Sequence, residues 1–126
     1  MTTSTQAVEI TQIAAKAAAD KLATDVKAFD VSERLPLADV FLIATAANER
    51  QVGAVVDNVE EQLLRAGFKP VRREGEREAQ WVLLDYLDVV VHVQHKDARE
   101  LYALDRLWMD CPAIQLPSDE PDKVAV

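Results

Sequence analysis

Two aspartates and two histidines that lie near one another in the chain are the residues best able to do chemistry. Asp85 and Asp88 belong to an Asp-Tyr-Leu-Asp segment, and His92 and His95 follow it. Paired carboxylates can hold Mg²⁺ for nucleotidyl transfer or serve as acid and base. Two histidines three residues apart could join aspartates such as Asp97 in a metal site. Metal binding, acid–base catalysis and partner recognition are therefore all open to this stretch, as is a structural role for either aspartate, which can accept backbone hydrogen bonds in a turn.

The residues that would have to accompany a catalytic pair are not evident. Nucleotidyl transfer normally also needs a third carboxylate and a Gly-Ser element that binds phosphate. The chain has three glycines, Gly53, Gly67 and Gly75, and they form neither a P-loop nor a dinucleotide fingerprint. Cys111 is expected at the C-terminal end of a helix, where a thiolate is disfavoured. We expect no catalytic, cofactor-binding or metal-binding residue, and keep a minimal Mg-dependent nucleotidyltransferase as the alternative.

Composition sets the class of protein and the class of partner. With 126 residues the chain is expected to form one domain. A net charge of -8 argues against direct DNA binding and favours basic partners. The N-terminus lacks the pattern of a secretory signal, no apolar run is long enough for a membrane span, and one cysteine cannot form an internal disulfide. A cytoplasmic location without membrane association is expected.

The elements that would position these residues follow from periodicity and capping signals. An alanine-rich stretch with helical period opens the chain, and a continuous apolar run at 39–45 is typical of a central strand buried on both faces. Asn48 and Gln51 form a variant of the capping box for a helix that Gly67 ends. The predicted elements are a helix over 6–23, a strand over 26–31, a strand over 39–45, a helix over 48–67, an edge strand and loop within 69–80, and a last helix over 97–110.

The segment from Trp81 to Val93 predicts a hairpin with its corner at 85–88. Since side chains alternate along a strand, Leu87, Val89, Val91 and Val93 are expected to face the core. Asp88, Val90, His92 and Gln94 then share the other face. Together with Trp81 and Tyr86, that face has the mixture of aromatic and charged residues that is typical of interface cores.

Strand 39–45 followed directly by a helix is half of a βαβ unit, which favours a layered α/β fold. We expect a single α/β domain over 1–112 and a flexible, acidic, proline-containing tail over 113–126.

Four pieces of the sequence, taken in order, carry a specific resemblance. They are Asp39 to Thr45 with Arg50-Gln51-Val52, then Glu74-Gly75, then Trp81 to Tyr86 with Asp88 to Val93, and finally Arg99, Tyr102, Leu104, Leu107 and Trp108. In these residues the chain resembles the ribosomal silencing factor S family, also called the Iojap family. The match spans nearly all of the expected folded part.

The resemblance implies a translational repressor without a cofactor. Such a protein would bind the large ribosomal subunit through its ribosomal protein number fourteen and sterically block association with the small subunit. It implies a mixed β-sheet of about five strands flanked by helices, similar to nucleotidyltransferases without their catalytic residues, and a homodimer when free. A dimeric adaptor with a non-ribosomal partner is a further alternative.

Two positions depart from the family pattern. Leu87 stands where the family usually has glycine, and Thr45-Ala46-Ala47-Asn48 replaces a Thr-Gly-x-Ser segment. The first change alters the turn or presents a leucine to the partner. The expected partner-binding residues are Trp81, Asp85, Tyr86, Leu87, Asp88, His92 and Arg50.

Overall fold

The structure of the chain, a computed structural model, describes residues 5–34, 38–75, 80–102, 106, 108–114 and 116. The elements among these residues are α1 (Thr5–Asp20), β1 (Thr24–Asp30), β2 (Val40–Ala46), α2 (Glu49–Arg65), β3 (Arg72–Glu74), β4 (Trp81–Asp85), β5 (Val89–His95) and α3 (Lys96–Tyr102). Each predicted element has a counterpart, and the ends of those that are described throughout shift by a few residues. None of the helices in these ranges has the length and hydropathy needed to span a membrane.

The sheet has five strands in the order β1-β2-β5-β4-β3. β2 runs parallel to β5, whereas the other three pairings are antiparallel, so the predicted mixed sheet is confirmed. β5 takes the middle position and β2 lies beside it, which explains why both strands are rich in buried apolar residues. The short, charged β3 lies at one edge, as predicted for the 69–80 region.

α1 and α2 pack on one face of the sheet and form the main core with it. α1 presents a row of buried alanines, whose small side chains let the helix lie close to its neighbours. Asn48 caps α2 as predicted, since its side chain accepts a hydrogen bond from the Gln51 N–H at 2.8 Å. The buried residues that β2, β4 and β5 contribute to this face are Val40, Leu42, Ala44, Ala46, Val82, Leu84, Val89, Val91 and Val93.

A second, smaller apolar cluster lies on the opposite face of the sheet. It includes the buried residues Phe29, Val31, Ala38 and Ile43, and Phe41 and Val90 are packed against them while partly buried. Residues from the C-terminal region, Trp108 and Cys111, complete the cluster. Within the described chain this cluster covers only part of the face. The part formed by β4 and β3 contributes no residue to it.

The C-terminal region differs from prediction in two ways. The last helix was predicted over 97–110; α3 is described over Lys96–Tyr102 and Arg106 is helical too, but residues 108–110 lie in a bend and turn, so the helix stops short of 110. Residues 103–105 and 107 lie outside the described residues. The tail was predicted to begin at 113, yet Ile114 N–H donates to the Ala28 carbonyl at 2.9 Å and Leu116 is buried. This segment pairs with the edge of β1, a long-range contact that local composition does not reveal. Residues 117–126 lie outside the described residues.

Candidate functional site

The corner between β4 and β5 is a tight turn held by its own backbone and by one aspartate. Tyr86 N–H donates to the Val89 carbonyl, and Asp88 N–H donates to the Tyr86 carbonyl, both at 2.9 Å. Oδ1 of Asp85 accepts a hydrogen bond from the Leu87 N–H at 2.8 Å. Leu87 consequently sits at φ +71°, in the left-handed region that favours glycine.

The prediction that Leu87 faces the core is wrong, because its side chain is 61% exposed. Strand alternation begins only at Val89, after the turn, and Val89, Val91 and Val93 are buried on the helix side as predicted. The leucine that replaces the family's usual glycine therefore projects from the corner into solvent.

Acidic residues gather at this end of the sheet. The Asp88 carbonyl accepts hydrogen bonds from the N–H groups of Asp39 and Val40, at 2.7 and 3.0 Å, which ties the corner to the start of β2. Asp85 lies 3.3 Å from the guanidinium of Arg72, which also pairs with Glu74. Asp85 and Glu74 share this guanidinium, and Asp39 and Asp88 bring two more carboxylates to the same end of the sheet. Among these residues the balance is negative, which suits a basic partner.

Strand pairing sets which side chains accompany the corner on the face opposite α1 and α2. Asp85 lies opposite Val90, and Leu83 lies opposite His92, which itself lies opposite Ile43 on β2. We define the open face as the partly buried residues on that side of the sheet together with the two corner residues that adjoin them. Its members are Phe41, Trp81, Leu83, Asp85, Leu87, Asp88 and Val90.

His92 lies on this side of the sheet but is buried beneath its neighbours. Nε1 of Trp81 donates a hydrogen bond to Nδ1 of His92 at 3.1 Å, and the Phe41 ring lies 4.9 Å from the imidazole. Burial lowers the pKa of His92 to about 4, so the imidazole is neutral near pH 7. With 5% of its surface exposed, His92 supports the open face from below.

Tyr86 and Arg50, both expected to bind the partner, lie away from the open face. Tyr86 is 6% exposed and packs in the main core on the helix side, where burial, followed by the nearby Glu60 carboxylate, raises the pKa of its hydroxyl. Arg50 is exposed in the first turn of α2, after the end of β2, whereas the corner adjoins the beginning of that strand. The corner, the face and Arg50 therefore do not form one site.

The metal and acid–base chemistry considered for Asp85 and the histidines has little geometric basis. Asp85 is engaged by the Leu87 N–H and by Arg72, and His95 accepts a hydrogen bond from the Asp97 N–H at 3.1 Å. His92 and His95 occupy different settings, one buried in the sheet and one at the start of α3. Across the described ranges, no group of three His, Cys, Asp or Glu side chains is placed to hold a metal ion.

Two residues of the open face were not identified from sequence. Phe41 and Leu83 belong to it together with Val90, which was predicted on this face, and strand alternation carried across from β5 to its neighbours would have indicated both. Gly75 has a supporting role, because at φ +90° a Cβ on it would collide with the carbonyl oxygen of Trp81. Glycine at this position lets the chain pass close to the beginning of β4, where Trp81 enters the open face.

The fold and this face define an α/β domain whose mixed sheet is covered by two helices on one side and presents aromatic and acidic residues on the other. The chain belongs to the family described as ribosomal silencing factor during starvation, whose sequence profile matches residues 4–125. This confirms the resemblance seen in the sequence.

Individual relatives agree with this assignment. The chain is similar to the ribosomal silencing factor RsfS of Bacillus subtilis, with 43% identity over 85% of this chain and 91% of that protein. It is 30% identical to the chloroplastic protein Iojap of Zea mays over 83% of this chain and 46% of that protein. A crystal structure of a protein from Chromobacterium violaceum matches with a TM-score of 0.78 and 33% identity, covering 90% of this chain and 95% of that one. A Bacillus halodurans structure matches with a TM-score of 0.75 and 39% identity, covering 86% and 98%.

Proposed function

We propose that this protein represses translation by binding the large ribosomal subunit through ribosomal protein number fourteen. Bound there, it would occupy the surface where the small subunit docks and would block subunit joining by steric exclusion. Membership of the ribosomal silencing family supports the general role. The proposed role requires a cytoplasmic location and involves no catalytic step and no cofactor.

The open face, with its acidic corner, is the observation that carries the proposal. Its apolar members, Phe41, Trp81, Leu83 and Val90, are partly buried in the free protein and offer area that a partner can cover. The adjoining aspartates add negative charge, which would accelerate and orient encounter with a basic ribosomal protein. Arg50 and Tyr86 are left out of this contact surface because of where their side chains lie.

Asp88 is the best residue with which to test the contact. Its carbonyl holds the corner, but within the described part of the chain no side chain pairs with its carboxylate. Replacing that carboxylate by a cation would leave the backbone contacts in place and oppose a basic partner. Affinity of Asp88→Arg for purified large subunits is expected to fall by tenfold or more.

Glu9→Arg supplies the matched control, since it makes the same charge change at an exposed position on α1. It is expected to bind as tightly as the wild type. Equal affinities for all three proteins would remove the corner from the contact surface.

The mechanism has a separate test. Protein added to dissociated subunits should reduce the amount of joined ribosomes seen in sucrose gradients, and an unchanged profile would refute steric blocking.

We also propose that the free protein is a homodimer that covers part of the open face. A second copy would shield the partly buried Trp81 and Leu83, whose apolar surface is otherwise left to water. Sedimentation velocity should then show a dimer that Trp81→Glu converts to monomer. A wild type that sediments as a monomer at all accessible concentrations would refute it.

A further inference from the structure

We propose that His92 is a positioning residue that fixes the orientation of Trp81 for docking, through a hydrogen bond available to only one imidazole tautomer. This inference rests on the proposed function, because it assumes that Trp81 meets the partner. The two side chains lie on neighbouring strands, with Trp81 at the start of β4 and His92 within β5. Their rings are 6.0 Å apart and the indole Nε1 is 3.1 Å from Nδ1.

The geometry assigns the proton on the imidazole. An indole N–H can only donate, so Nδ1 of His92 must accept and must carry no proton. The neutral ring then holds its proton on Nε2, and that atom is buried with no hydrogen-bond partner among the described residues. His92 thus accepts one hydrogen bond from Trp81 while its other nitrogen goes unused, so the residue is suited to hold Trp81 and not to bind a partner itself.

The imidazole is fixed by the residues around it. Phe41 lies against it with the ring planes inclined by 56°, and Trp108 packs edge-on against Phe41 with ring centres 5.4 Å apart. The sheet backbone holds His92 between Ile43 and Leu83. A fixed acceptor of this kind restricts rotation of the partly exposed indole above it.

Restricting Trp81 before docking has a predictable consequence for affinity. A large side chain that is already ordered in the free protein loses less conformational freedom when a partner covers it. Removing the acceptor should therefore weaken binding by about tenfold. Because His92 is buried, that loss would act through Trp81.

A measurement on the unmodified protein tests the hydrogen bond directly. In ¹⁵N-labelled wild type, NMR should show Nδ1 of His92 unprotonated, Nε2 protonated, and a scalar coupling between the Trp81 Nε1 and His92 Nδ1 nuclei. A protonated Nδ1 would overturn the assignment. This result does not depend on whether the protein binds ribosomes.

A double-mutant cycle tests the positioning role. His92→Phe keeps the ring volume without the acceptor, and His92→Asn keeps an acceptor close to the Nδ1 position. His92→Phe should speed exchange of the Trp81 indole proton and weaken binding to purified large subunits by about tenfold. His92→Asn should keep the exchange rate and the affinity close to those of the wild type. In a Trp81→Phe background, His92→Phe should have no further effect on affinity.

The outcomes separate the two proposals. Additive losses in the cycle, or an unchanged indole exchange rate in His92→Phe, would overturn the positioning role. If His92→Phe fails to fold, comparison of His92→Asn with wild type still decides it, since affinity and slow indole exchange should both persist in that variant. A wild type that does not bind the large subunit would refute the proposed function and the docking role with it, whereas the NMR result would still decide whether the hydrogen bond exists.

Discussion

The N–H of Leu87 donates to Oδ1 of Asp85 at 2.8 Å, and this contact holds a leucine in a backbone conformation that leucine rarely adopts. The aspartate predicted as a possible catalytic or partner-binding group thus has a structural role in the turn. The same turn presents the leucine to solvent at the rim of the open face. Asp85 shapes the corner, and Leu87 provides its exposed apolar surface.

Leu87→Gly is expected to separate folding from binding. The left-handed conformation costs leucine about 1–2 kcal/mol, and glycine relieves this strain. Glycine also loses more backbone entropy on folding, so the net rise in the free energy of unfolding should be about 1 kcal/mol. Affinity for large subunits should fall by about tenfold, because an apolar side chain of the open face is removed. Urea denaturation and a subunit binding assay measure the two effects.

Leu22→Gly is the control for this prediction. Leu22 is also exposed and has φ +66°, but it follows α1, and its carbonyl contacts Gln51 at the beginning of α2. It should gain similar stability and keep its affinity. If Leu87→Gly and Leu22→Gly bind equally well, Leu87 does not contact the partner.

Tyr86→Phe is expected to leave binding unchanged and to stabilise the fold slightly. The Tyr86 hydroxyl is buried and has no hydrogen-bond partner within the described ranges, so its removal relieves a desolvation cost of about 1 kcal/mol. Thermal unfolding and the same binding assay test this. Tyr86→Ala should instead cost about 3–5 kcal/mol, because it opens a cavity in the main core. Weaker binding by Tyr86→Phe with an intact fold would return Tyr86 to the contact surface.

Local patterns predicted much of the fold, because helical period, strand alternation and the Asn48 cap are short-range signals. Alternation correctly separated Val89, Val91 and Val93 from Val90 and His92. The same rule applied to β4 groups Tyr86 with the buried Val82 and Leu84, so a signal for its burial was present in the sequence. Its aromatic residue type instead favoured the binding face.

Long-range contacts decided the rest. Parallel pairing of β2 with β5 puts Arg50 and the corner at opposite ends of β2, and nothing near Arg50 in the sequence encodes that pairing. The pairing of Ile114 with Ala28 likewise depends on a strand far away in the chain. Leucine rarely adopts a positive φ angle, so that of Leu87 could not be predicted from its residue type. The surrounding turn imposes it.

Gln94→Met is expected to raise the free energy of unfolding by about 1–2 kcal/mol. Gln94 is fully buried in the middle strand, and in the part of the chain that the structure describes neither its amide oxygen nor its amide nitrogen has a hydrogen-bond partner. Methionine has similar volume and removes the cost of burying an unpaired amide. Gln62→Met, at a partly buried position on α2, should change stability by less than about 0.5 kcal/mol. A destabilised Gln94→Met would show that the amide is hydrogen-bonded in solution.

The buried His92 should make the fold sensitive to mild acid. Burial places its folded pKa at about 4, below the ordinary value of 6.5, so between these values the unfolded chain binds a proton that the folded chain does not. The contribution of His92 to the free energy of unfolding is therefore fully present above about pH 6.5 and is lost as the pH falls towards 4. Its ring and register neighbours, Phe41, Trp81, Ile43 and Leu83, do not titrate in this range.

His92→Asn isolates this contribution, because asparagine does not titrate and carboxylate effects are common to both proteins. The difference in unfolding free energy, wild type minus variant, should decrease by about 3 kcal/mol between pH 6.5 and 4. Urea denaturation at a series of pH values measures that difference. A difference independent of pH would mean that His92 is protonated equally in the folded and unfolded chains, which is incompatible with an imidazole buried beneath Trp81.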